Sequence, residues 1–143
     1  MLTEPLLKDL ADRCNTIEEC YEYMLAYAGQ GVAGEEGGGS QIRDFLTRAA
    51  AALTGLADAY ETAVKRESFE PAAPYHAFLT VLARDAQDSL AAVELVLAQP
   101  RISSQLIDNL NASIHLRALL TDLFLIDEIL KRSQLSEKPA GTV

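Results

Sequence analysis

Two histidines and three acidic pairs are where this chain of 143 residues could carry chemistry. A carboxylate-bridged di-metal bundle needs a glutamate three residues before a histidine on each of two helices, because carboxylates and imidazoles together complete the metal spheres. Ala73 and Ala112 stand at those positions before His76 and His115, which argues against that class. At helical spacing His115 shares a stripe with Asp108, Asn111 and Asp122, a set able to ligate one metal or steady a proton-transfer histidine. The i,i+3 pairs Glu19/Glu22, Asp58/Glu61 and Asp85/Asp88 are of a kind that holds magnesium. All of these groups project off the apolar seams, where a solvated polar face is the expected content. The expectation is therefore no catalytic residue, no cofactor and no metal, with Asp108, His115 and Asp122 as the weaker alternative.

Gly29, Gly31 and Gly34 fall in the spacing GxGxxG. A dinucleotide fingerprint needs a strand before its first glycine and a helix straight after its third. Here a helical pattern precedes, and Glu35, Glu36 and three more glycines follow, so residues 30–40 are expected to be a flexible linker. No GxSxG elbow occurs. Cys14 falls in an apolar seam and Cys20 on its periphery, about 120° apart on one helix and too divergent to pair within the chain. Arg117 projects near a seam where Glu18 or Glu22 could meet it, an arrangement that more often fixes register than catalyses.

With 21 acidic against 12 basic residues the net charge is -9, which repels a phosphate backbone and an anionic membrane surface alike. Even LRALLTDLFLIDEIL is broken by Asp122, Asp127 and Glu128, short of a membrane span. The start lacks a basic region before a long apolar run, and neither cysteine belongs to a CxxC pair; both point to a cytoplasmic protein.

The elements that must position these residues all read as helices. Leu7, Leu10, Cys14, Ile17, Tyr21, Met24 and Ala28 alternate at three and four, predicting a helix over residues 4–29, capped by Thr3 and closed by a left-handed Gly29. Ile42 to Val64 predict a second over 41–67 with Ser40 as cap. Pro71 and Pro74 make a turn before a third over 75–99. Ser103 or Ser104 opens a fourth over 104–132, and residues 133–143 form a frayed tail. Near-equal lengths and no strand-like alternation predict one all-α domain over 1–143: an antiparallel up-down-up-down four-helix bundle.

The fourth helix carries two apolar bands. Leu106, Ile107, Leu110, Ile114, Ala118, Phe124 and Leu125 form the expected bundle seam. Leu116, Leu119, Leu123, Ile126 and Leu130, widened by Leu120, form a second band that must be covered by the same chain or by another. Tyr23 and Tyr27, on the far side of the first helix, add residues of a type enriched at interfaces. Together these predict a homodimeric, non-enzymatic interaction protein, an adaptor, chaperone or assembly factor, with the second band and the two tyrosines as contact surface. The alternative is a small metal-dependent all-α enzyme or metal-binding bundle using the acidic pairs or the His115 stripe.

Overall fold

A computed structural model of the chain describes residues 2–34 and 41–136. Among the described residues the regular structure is helical throughout, with no strand. Among the described residues six helices replace the expected four: α1 Glu4–Ala28, α2 Gln41–Leu53, α3 Leu56–Glu67, α4 Ala72–Leu97, α5 Ser104–Ala112 and α6 His115–Ser136. None of them is long and apolar enough to cross a membrane.

The first helix forms as its pattern requires. Thr3 Oγ1 accepts the Leu6 amide and Pro5 sits in the first turn, where its missing N–H is not needed. Its end differs from expectation: Gly29 is right-handed at φ -83°, and Gly31 takes the positive φ of 67° instead. The third expected helix begins three residues early, at Ala72, because Pro74 fits within a first turn as well as outside one.

Two breaks correct the four-helix reading. Gly55, at φ 81°, turns the chain between α2 and α3. Arg13 of α1 closes that break, its Nη1 donating to the carbonyls of Ala52 (2.9 Å) and Thr54 (2.6 Å), which α2 leaves without intrahelical donors. Arg43 does the same for α4, donating to the carbonyls of Leu97 and Gln99, each at 2.8 Å. The second break lies at Ser113 and Ile114, where Ile114 has φ 62°. A β-branched residue in that region is strained, at a cost on the order of 1–3 kcal/mol that the surrounding packing must offset.

This second break explains the two bands. Leu110 and Leu119 are nine residues apart and would lie on opposite sides of one unbroken helix, about 180° apart. Both are nevertheless buried, at 7% and 0% exposure. Re-phasing the chain at Ile114 turns the inner side of α5 and the inner side of α6 toward the same core.

Buried apolar side chains from every helix form one cluster, with Ile17, Met24, Leu46, Tyr60, Leu82 and Leu123 among the fully enclosed. α1 and α4 each pack against α2, α3, α5 and α6. Hydrogen-bonded and stacked pairs mark the register. Arg13 meets Ala52 while Tyr23 meets Phe45, and Asn111 meets the Met24 carbonyl while Cys14 meets Asp127. In both pairs of elements residue numbers rise on one side as they fall on the other. Exposed flanks carry i,i+4 ion pairs in which an acid meets its base: Lys8–Asp12, Asp9–Arg13, Asp44–Arg48, Glu61–Lys65 and Glu128–Arg132.

The described part of the expected linker, 30–34, is docked. Val32 N–H donates to Ser104 Oγ and Ser104 N–H to the Val32 carbonyl, both at 2.8 Å. Gly34 lies so close to Ile102 that a Cβ there would sit 3.0 Å from its backbone, at a φ of 96°. Residues 35–40, with the expected cap Ser40, lie outside the described residues. Residues 133 and 134, expected to fray, are tied to α3: Ser133 Oγ donates to Glu67 Oε2, and Gln134 donates to Glu67 Oε1 at 2.7 Å. Residues 137–143 lie outside the described residues.

Candidate functional site

The inner face of α6 is spent on the core. Leu116, Leu119, Leu120, Leu123, Ile126 and Leu130 are all buried inside the single chain, none more than 5% exposed. As a contact surface for a partner this band is therefore corrected: its side chains already have apolar neighbours, supplied once the break at Ile114 re-phases the helix. The residues expected in the seam, Ile114, Phe124 and Leu125, point outward instead, at 57%, 53% and 53% exposure.

Tyr27 is corrected too. It is buried, and its hydroxyl donates to the Ile102 carbonyl at 2.5 Å while its own carbonyl accepts from Ser104 Oγ. Tyr23 is half-buried, stacked on Phe45 with ring centres 4.4 Å apart. Cys20, expected on the periphery, is fully enclosed beside Met24. These corrections share a cause: α1 has neighbours on several sides, so little of its circumference is free.

Phe124 and Leu125 are consecutive, about 100° apart around α6, and so reach different flanks. Phe124 borders a cleft of about 380 Å³ between α1 and α6, with Glu18, Tyr21, Glu22, Leu25 and Arg117 around it. Arg117 thus shares a cleft with Glu18 and Glu22 as the sequence suggested, yet among the described residues no ion pair joins them. Leu125 borders a cleft of about 370 Å³ between α4 and α6, lined by Pro71, Pro74, Tyr75, Phe78, Ile126 and Ile129, with no charged group. Phe69 stacks on Tyr75 beside it, rings 4.3 Å apart and nearly parallel.

The metal alternative does not assemble. Among the described residues no three His, Cys, Asp or Glu side chains gather as a metal site. Asp108 belongs to α5 and His115 to α6, and the turn between them dissolves the stripe drawn on one helix. Glu61 instead pairs with Lys65 at 3.0 Å. Asp122 faces Asp85 of α4, and its Oδ2 is buried without a hydrogen-bond partner among the described residues. Burial first, then the neighbouring carboxyl group of Asp85, push Asp122 up from 3.8 to about 7.

That shift has a sign. A carboxyl group held higher in the folded chain than in the unfolded one contributes stability fully below its unfolded value, and loses it as pH rises through its folded value. Between about pH 4 and pH 8 the chain is expected to lose on the order of 1–2 kcal/mol from Asp122, discounted for solvent screening of this partly exposed group. Urea unfolding at the two pH values measures it, and Asp122→Asn should flatten the slope.

One interior cluster has no counterpart in the sequence reading. Tyr60 of α3 donates its hydroxyl to Asp127 Oδ1 of α6 at 2.6 Å. Cys14 of α1 lies 3.0 Å from the same hydroxyl and donates to Asp127 Oδ2 at 3.4 Å. Burial pushes the Cys14 thiol up to about 12 and raises Tyr60 and Asp127 as well. The thiol is therefore neutral near pH 7 and a poor nucleophile; the cluster fastens three helices together. Its signal was Asp127 itself, a carboxylate inside the greasy run LFLIDEIL, read there only as an interruption. No family model, curated protein sequence or solved structure matches this chain.

Proposed function

We propose that this chain is a non-enzymatic interaction protein, of the adaptor, chaperone or assembly-factor kind, working through the outward side of α6. The observation that carries the reading is Leu125. It stands 53% exposed beside an uncharged apolar cleft, on a helix whose inner face is already fully used. An apolar ridge next to an apolar groove is self-complementary under a two-fold axis, since each copy's ridge can enter the other's groove. The α4 flank suits a second copy for an additional reason: without charged lining, it brings no like charges together between two chains of net charge -9. We read the six helices as a four-rod antiparallel bundle, α2 with α3 and α5 with α6 each making one broken rod; the opposed registers support this. The two free, buried thiols fit a cytoplasmic setting.

Sedimentation equilibrium and native mass of the full chain test the proposal. The wild type is expected as a dimer. Leu125→Glu should weaken association roughly 30-fold or more, the scale of one interface hot spot, with helical content unchanged. A wild-type chain that stays monomeric, or a Leu125→Glu chain that stays dimeric, overturns the pairing on this flank.

A further inference from the structure

The opposite flank of α6 differs in kind. Between α1 and α6 the cleft has an apolar lining, Leu25, Leu120 and Phe124, and an acidic wall, Glu18 and Glu22. Those two glutamates are four residues apart on one helix, a spacing at which like charges repel. Elsewhere on the surface the acids at this spacing face a base, as at Asp12, Asp44, Glu61 and Glu128. Here, among the described residues, the two acids of α1 form no ion pair, Arg117 being the one base in the lining against two carboxylates, and they stand beside exposed apolar side chains, Leu25 at 51% and Phe124 at 53%. An occupant bringing apolar anchors and positive charge together would cover the one and relieve the other.

We propose that the α1/α6 cleft is a docking groove for a basic amphipathic helix of a partner protein. The proposal rests on the reading of this chain as an interaction protein and adds the partner's chemistry. Helix-in-groove recognition places anchors at i, i+3, i+4 and i+7 along an apolar floor. Lysines or arginines beside those anchors would meet Glu18 and Glu22. Arg117 lines the same cleft and favours an acidic or C-terminal end of the incoming helix near itself, which gives the docked helix a direction.

The probe is a fluorescein-labelled peptide of about 18 residues, with leucines at i, i+3, i+4 and i+7 and lysines flanking them, long enough for several helical turns. A matched peptide carries glutamate in place of lysine. Anisotropy with the full-length chain should show saturable binding of the lysine peptide, weakened by salt, and binding of the glutamate peptide at least roughly tenfold weaker. Glu18→Lys/Glu22→Lys should weaken the lysine peptide at least roughly tenfold, whereas the equal charge change Asp88→Lys/Glu94→Lys on α4 should leave it within about twofold. Leu125→Glu should bind as the wild type does. No saturable binding, equal binding of both peptides, or equal loss in the two charge-reversed chains overturns the proposal. So does self-association abolished by Glu18→Lys/Glu22→Lys, which would put a second copy in this groove. A wild-type dimer made monomeric by Leu125→Glu, with no peptide binding, would overturn this inference and leave the interaction reading standing.

Discussion

Leu119→Glu/Leu123→Glu is expected to unfold the chain, not to release one folded subunit from another. Both leucines are 0% exposed, enclosed within a single chain by the packing of α6 on α4 and α1. Each substitution loses about 1.5–3 kcal/mol of apolar burial and adds a carboxyl group with no partner built for it. Together these losses exceed about 5 kcal/mol, comparable with the whole stability of a typical domain, about 5–15 kcal/mol. Far-UV circular dichroism at ambient temperature should show the helical signal collapse. Leu119→Ala should remain folded but lose about 2–5 kcal/mol in urea titration. The same chemistry at Leu125, two residues beyond Leu123 and on the outer side, should leave the fold intact. A doubly substituted chain of full helicity and half the wild-type mass would show that the second band faces another copy.

How far the sequence could be read follows from the same residues. The seam Leu10, Cys14, Ile17 and Met24 was legible because α1 is one unbroken rod, so a fixed period maps directly onto one face; all four are buried. Gly55 could be passed over because the buried set Leu46, Ala49, Leu53, Leu56 and Tyr60 keeps its three-and-four rhythm straight across the break. Ile114 gave no local warning, since a β-branched residue is among the least expected at a positive φ. Its trace was non-local. A second apolar band that strengthens where the first fades is what a broken helix looks like when drawn as a continuous one. The outward clefts were less legible still, because they depend on which of two neighbours, Phe124 or Leu125, faces which helix. Among the described residues Arg117 shares a cleft with Glu18 and Glu22 without pairing to either, because its spacing to them is set by the angle between α1 and α6, which no periodicity encodes.

Tyr60→Phe should cost about 1.5–3 kcal/mol, the scale of a hydrogen bond to a charged group, although the ring and its packing are kept. The Tyr60 hydroxyl is the short donor to Asp127, at 2.6 Å; the remaining donor, Cys14, is a weaker one at 3.4 Å. Burial already raises Asp127, and the bonds from Tyr60 and Cys14 pull it back down. Without the phenol, Asp127 rises further in the folded chain. Stability from such a group is complete below its unfolded value and is lost as pH rises through its folded value, so a higher folded value extends the loss upward in pH. The deficit of Tyr60→Phe should therefore be larger at pH 8 than at pH 5 in paired urea titrations. Tyr60→Phe/Asp127→Leu should recover most of it, because removing both partners leaves no orphaned carboxylate inside the protein. A deficit equal at the two pH values, undiminished in the double variant, would mean that the hydroxyl does not serve Asp127 and that α3 and α6 are held by packing alone.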